Sequence, residues 1–231
     1  MIGNRTAENL WPHDITGAKK IQNYLAPKVK IIPISKKPNF IAAVDASFLD
    51  GETIAVASLF TYPQMNFQED SVFEGKTGFP YIPGFLSFRE GAALINAVKR
   101  LGRMPDVILV DGQGISHPRG IGLASHIGII LGLPAIGCAK SRLIGRFRKP
   151  AKIKGSWTYL YLEGRIRRIG AVVRTRSNVK PLFVSPGHLI DIESSVEIVL
   201  GCVSQYRIPE PLRRADLISK SLKKKRVRDR L

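Results

Sequence analysis

The sequence predicts an α/β protein built on one mixed sheet, and three observations carry that reading. Apolar runs at 39–50, 52–63 and 67–78 are joined by short turns, as in an antiparallel meander. Residues 106–141 then alternate a continuous apolar strand, a glycine loop, a helix-length apolar segment and a second short strand, the pattern of buried parallel strands. The last third alternates strand-like with helix-like segments. With 231 residues, 44% of them apolar, and mean hydropathy near zero, the chain can bury a substantial core.

The elements follow in order. DITGAKKIQNYLAPKVK (14–30) spaces Ile15, Ala18, Ile21 and Leu25 at helical intervals, with Asp14 as cap. NFIAAVDASFLD (39–50) and ETIAVASLFTYP (52–63) read as strands hinged at Asp50-Gly51, a tight-turn dipeptide. FQEDSVFEGKTG (67–78) returns as a third. FLSFREGAALINAVKRLG (85–102) puts Phe85, Phe88, Ala92, Leu94, Ile95 and Val98 near one helical face, with a stop expected at Leu101-Gly102. DVILVDGQG (106–114) is a strand running into a glycine loop, IGLASHIGIILG (121–132) a helix, and LPAIGCAKS (133–141) a short strand. Residues 158–187 give two or three more strands, and 192–205 and 209–222 are helical. One domain is expected over 1–219, followed by a basic tail at 220–231.

Charge narrows the partners. The net charge is +18, and the tail KSLKKKRVRDRL holds seven basic side chains against one acid between 220 and 230, so +12 remains elsewhere. Such an excess attracts polyanions, either nucleic acid or an acidic membrane surface. No segment is long and apolar enough for a bilayer, since IGIILGLPAIG (127–137) is short and broken by glycine. MIGNRTAENL lacks the pattern of a secretory signal. Cys138 and Cys202 form no metal or disulfide framework and read as buried thiols. The cytoplasm is therefore the expected compartment.

Acids inside the apolar machinery stand out. Asp45 ends the run IAAV, Asp111 ends DVILV, and Glu90 follows the apolar start of a helix. Each alone is equally a turn former or a cap. If the first and fourth strands are neighbours, Asp45 and Asp111 lie side by side and Glu90 leans over them. Packed carboxylates repel and are costly to desolvate, so such a site wants a divalent cation, with hard oxygen ligands favouring Mg²⁺ or Mn²⁺. On a basic protein the matching substrate is a phosphodiester. Asp216 either joins this cluster or pairs with Arg213 or Arg214. Lys140 is suited to a scissile phosphate or an attacking water, or is simply solvated. His117 is suited to a proton or a phosphate, or is structural.

Six blocks taken together resemble the endonuclease V family in order: VDASF (44–48), PYIPGFLSFRE (80–90), DGQGISHPRGIGLASHIG (111–128), GLPAIGCAKSRL (132–143), LFVSPGHLI (182–190) and YRIPEPLRRAD (206–216). The resemblance implies a ribonuclease H-like fold and cleavage of the second phosphodiester bond 3′ to a deoxyinosine, with Mg²⁺ or Mn²⁺. It places the catalytic, metal-binding acids at Asp45, Glu90 and Asp111, a lysine at Lys140, and a fourth acidic position at Asp216. It also implies that Pro80, Tyr81, Ile82 and Pro83 form a base-probing wedge; Gly84, just behind it, is suited to be its pivot or to permit close strand contact. Gln113 departs from the histidine that many members carry in DGHG; glutamine keeps hydrogen bonding but moves no proton near neutrality. His117 remains as the candidate proton carrier.

The wedge has a physical purpose. Unstacking a base costs a few kcal/mol, and ring stacking on the exposed neighbour returns roughly 1–3 kcal/mol. The flipped base is expected against close backbone at the glycines of VSPGH, GIGL and LPAIG. The expected partner is double- or single-stranded DNA containing deoxyinosine, bound by a monomer, with inosine-containing RNA as the nearest alternative. Another ribonuclease H-like nuclease would have no use for PYIP, and a binding-only protein no use for the acids.

Overall fold

The computed structural model describes residues 10–164 and 166–230. The segment read for a secretory signal falls almost wholly outside them. Helix α1 (Ile15–Leu25) leads into the hairpin strands β1 (Phe40–Leu49), β2 (Glu52–Thr61) and β3 (Phe67–Lys76). Then come α2 (Leu86–Lys99), β4 (Val107–Val110), α3 (Leu123–Leu131) and β5 (Ala135–Ala139). Strands β6 (Arg146–Phe147), β7 (Trp157–Tyr161), β8 (Arg168–Val173) and β9 (Leu182–His188) precede α4 (Ile192–Gly201) and α5 (Glu210–Arg228).

Nine strands form one sheet in the order β3-β2-β1-β4-β5-β9-β8-β7-β6. The pairs β1–β4 and β4–β5 are parallel and all others antiparallel, so the expected mixed sheet with an antiparallel front is what forms. Asp50 and Gly51 take φ of +48° and +78°, the two left-handed positions of a tight hairpin. Asp14 caps α1 by accepting from the Gly17 N–H at 2.7 Å.

Period-2 alternation divides the core. Ala42, Val44, Ile108 and Val110 face α2 and α3, while Ile41, Ala43, Leu109, Ile136 and Cys138 face the side that holds α4 and Leu212 of α5. Burying each large aliphatic side chain contributes about 1.5–3 kcal/mol, which is why β4 is apolar at every position.

Three expectations need correction. Helix α2 ends at Lys99, not at a glycine stop. The Gly102 N–H instead donates to Glu69 at 2.9 Å. The buried face of α2 uses Ala93 and Ala97 rather than Ala92. Of the tail expected at 220–231, the described residues do not separate, because α5 runs through Arg228. Arg226 reaches Glu52 and Glu74, and Arg230 reaches Asp50 and Glu52, so the basic run lies along the acids of the hairpin. Among the described residues no helix is long and apolar enough to cross a membrane.

Candidate active site

Parallel pairing aligns Val44 with Val110, so Asp45 and Asp111 follow as the next residues of two adjacent strands. Both share the face on which α5 lies. That helix adds Asp216, and one carboxylate oxygen from each of Asp45, Asp111 and Asp216 lies within 4.8 Å of the other two. The alternative for Asp216 fails: Arg213 pairs with Glu210 at 3.1 Å and Arg214 with Asp70 at 2.6 Å, leaving Asp216 to Lys220 at 2.7 Å. Glu90 stands outside this close trio but near enough to feel Asp45 and Asp111. The expected order is thus revised, with Asp216 in the cluster and Glu90 at its margin. Glu90 projects from α2 on the opposite layer, so it reaches the site from the other side.

The electrostatics are those of a site short of positive charge. Burial, then the charges of Asp45 and Asp111, push Glu90 up to about 8. Burial also pushes Asp45 up to about 6, with repulsion from Asp111 and Asp216 adding to it and a hydrogen bond from Ser219 opposing it. Lys140 donates to Asp111 at 2.5 Å. Its burial favours the neutral amine, yet the Asp111 hydrogen bond and the surrounding carboxylates outweigh that and raise its pKa. Two lysines, Lys140 on Asp111 and Lys220 on Asp216, against four carboxyl groups leave a deficit that a divalent cation would fill, and all-oxygen donors suit a hard ion.

His117 is not placed as a proton carrier. Its Nε2 donates to the Gly84 carbonyl (3.1 Å) and its Nδ1 accepts from the Arg119 N–H (3.3 Å), so both nitrogens of the neutral ring are engaged. Burial and the Arg119 charge push its pKa down to about 4. The Gly84 carbonyl also accepts from Gln22 Nε2 at 2.9 Å and from the Arg119 guanidinium at 2.8 Å. Three donors from two separate segments therefore hold the turn behind PYIP, where Gly84 has φ +81°. A carbonyl so fixed is an anchor for the wedge, not a pivot.

In the wedge itself, Tyr81 is 69% exposed and Pro80 and Pro83 are exposed too. Ile82 behaves differently: it turns inward against Phe79, Phe85 and Phe88 and roots the loop. Between wedge and carboxylates lies a cavity of about 350 Å³, bordered by Tyr81, Gly84, Asp111, Gly112, Gln113 and Lys140 among others. Of the glycines expected there, only Gly122 lines it. Gly137 and Gly187 are instead packed against backbone inside the fold, where a Cβ would meet Gly114 N at 2.5 Å and Ala135 O at 2.7 Å. Gln113 donates to the Ser141 carbonyl at 3.1 Å, stitching the loop after β4 to the segment carrying Lys140.

Three residues at the site carried no assignment in the sequence. Ser219, fully buried, donates to Asp45 Oδ2 at 2.8 Å, and its carbonyl accepts from Ser47 Oγ at 2.9 Å. Its signal was legible, since it lies three residues past Asp216 on the same helical face. Arg207 binds the Lys140 carbonyl at 2.7 Å and the Pro181 carbonyl at 2.8 Å. Gln22 lies too far away in the chain for any spacing rule to connect it.

Comparison with known proteins agrees. The family model described as Endonuclease V matches residues 23–217. A curated Endonuclease V of Geotalea uraniireducens is 47% identical over 217 residues, covering 93% of this chain and 92% of that one. The crystal structure of the Endonuclease V of Streptomyces avermitilis superposes with a TM-score of 0.88 at 33% identity, covering 94% and 96% of the two chains. Ciona intestinalis Endonuclease V, crystallised with a 24mer DNA containing an inosine followed by a ribo-adenosine, gives 0.80 at 27% identity over 91% and 98%.

Proposed function

The chain belongs to the endonuclease V family, and on that premise we propose that it hydrolyses DNA at the second phosphodiester bond 3′ to a deoxyinosine, as a repair nuclease. The observation that carries this is the trio Asp45, Asp111 and Asp216 beside a base-sized cavity with an exposed tyrosine at its lip. Neither a resolvase nor a passive binding protein needs both features.

Asp45, Asp111 and Asp216 would hold Mg²⁺, or Mn²⁺ in its place, with Glu90 bound directly or through water. When bound, such an ion supplies a Lewis acid for the phosphate and lowers the pKa of a water molecule. Ionisation of Asp45 and Glu90, costly while they face each other, becomes favourable once the charge is balanced. Ser219 turns Asp45 Oδ2 toward itself and leaves the other oxygen free. Lys140, held on Asp111 with its backbone fixed by Arg207, presents an ammonium where a scissile phosphate would lie. Tyr81, stiffened by Pro80 and Pro83, fills the gap left by the extruded base, while the Gly84 anchor holds the loop at low entropic cost. Hypoxanthine lacks the exocyclic amines, so it fits close to the backbone of Gly84, Gly112 and Gly122.

The decisive test is cleavage mapping on matched duplex DNA and single-stranded RNA, each with one inosine. Asp216→Asn should lower kcat by at least about a hundredfold while binding of inosine DNA without metal stays within a few-fold. Tyr81→Ala should reduce the preference for inosine over ordinary DNA by about tenfold, the worth of one stacked ring. Asp216→Asn cleaving at the wild-type rate would remove that residue from the site.

A further inference from the structure

We infer that the outer edge of the sheet, at β6 and β7, is a second polynucleotide-binding surface that stacks unpaired bases of the strand flanking the cut. The inference rests on the inosine-nuclease reading above and adds a subsite to it.

Trp157, Tyr159 and Tyr161 alternate along β7 and therefore share one face, each half-buried. Their rings meet edge to face in a row, with centroids 4.9 Å and then 6.1 Å apart. Leu160 between them turns to the other face and joins the cluster of Ile169, Val172 and Phe183, while Trp157 and Tyr159 lean in part on the main core and keep the rest of their rings toward the groove. The aromatic row borders a groove of about 680 Å³ together with Arg146 and Arg148, and among the described residues no acid lines it. Arg146 sits opposite Tyr161 across the β6–β7 pair. Ile166, at 90% exposure, forms part of the rim. Glu193, which touches the platform, is spoken for: it accepts from the Tyr159 hydroxyl at 2.6 Å and lies 4.0 Å from Arg168, whose guanidinium stacks over the Tyr159 ring. Rings interleaved with cations are the chemistry of single-strand recognition.

Shared bordering residues link the groove to the site. Lys140 borders both the base cavity and a second depression, which holds Lys149, Lys152 and Lys180 and again no acid. Phe147 borders that depression and the β7 groove alike. Register gives the distance: Ala139, Phe183, Val172 and Thr158 form one row across β5, β9, β8 and β7. Three strand spacings put the platform about 14 Å from the Lys140 end of β5, about four phosphates of a stacked strand. Bases in a duplex have their faces covered by neighbours, so the occupant is an unpaired flank. A second copy of this chain fits poorly, since β6 is two residues long and the surroundings are cationic.

The test measures binding of fluorescent single-stranded inosine oligonucleotides without metal, their flanks lengthened one nucleotide at a time on either side. Wild type should tighten once one flank extends about four nucleotides past the cut. The Tyr159→Ala, Tyr161→Ala double variant should lose at least about fivefold of that gain. The corresponding double phenylalanine variant should keep it, which separates ring loss from misfolding. A short oligonucleotide should be bound by both proteins alike and, with Mn²⁺, cut alike. Three results would overturn the inference: undiminished binding of the long strand by the alanine variant, an equal gain from a duplex flank, or loss of binding that tracks the dissociation of a dimer in sedimentation. Failure of wild type to cut the short inosine strand would strike the nuclease reading instead, and the length steps would still judge the platform.

Discussion

Glu90 shows at the scale of one side chain how this site trades stability for function. Its carboxyl is held near 8, against an ordinary value of 4.5, by burial and by Asp45 and Asp111. The unfolded chain gives up that proton from pH 4.5 while the folded one keeps it to about 8, so metal-free stability falls across this window. Glu90→Gln should therefore raise the melting temperature of the metal-free protein at pH 8 and leave it close to wild type at pH 4.5. Each kcal/mol corresponds to about 2–4 °C in a chain of this size. Saturating Mn²⁺ should reverse the order, because glutamine offers no charge to the ion. Thermal denaturation at both pH values, with and without metal, reads both effects. Equal melting at pH 8 would mean that Glu90 is already ionised. His126 pulls oppositely: buried between Trp11 and Phe88, with its pKa pushed down to about 4, it must be neutral to stay folded. Its contribution is lost as pH falls from 6.5 through 4. His126→Phe should therefore flatten the acid limb of the same curve.

At the scale of the element, α5 carries both chemistry and support. Its first half delivers Asp216 and Ser219 to Asp45, and its second half lies along the hairpin. Arg214 grips Asp70 at 2.6 Å and lies over the Phe67 ring at 3.6 Å, a partly exposed cation contact worth about 0.5–1 kcal/mol beyond the ion pair. Exposed pairs such as Arg230–Asp50 contribute little singly, and their value lies in fixing the pitch of the helix. Truncation after Leu222 should lower the melting temperature by a few degrees, equivalent to about 1–2 kcal/mol. It should also weaken Mn²⁺ binding in calorimetry several-fold, since the third carboxylate is less firmly held. A solvated tail would change neither quantity. The wedge follows the same logic: Gln22, His117 and Arg119 lie in other segments, yet they hold the one carbonyl from which PYIP hangs.

Across the whole molecule the net +18 governs encounter more than discrimination. Six neutralised phosphates would cost affinity for ordinary duplex DNA about a thousandfold between 50 and 200 mM salt. The ratio of inosine to ordinary affinity should change little over that range, because the base cavity is read by backbone and rings. Anisotropy titrations on the two duplexes across salt measure both, and a preference that collapses with salt would place specificity in the charge.

What the sequence alone determined was whatever local pattern encodes: strand and helix periods, the Asp50-Gly51 turn, the apolar β4, and acids at the ends of strands whose neighbours could be guessed. Ordered motifs added the expectation that PYIP acts as a wedge and that Lys140 meets the phosphate. Tertiary structure decided which carboxylates meet, because that depends on the packing of α5 across β1. Hence Asp216 entered the trio, Glu90 moved to its edge, and the presumed tail became the end of a helix. It also took His117 out of proton transfer, since a ring's role is set by what its two nitrogens touch. Distances between segments remote in the chain follow from packing geometry, and no spacing rule along the chain contains them.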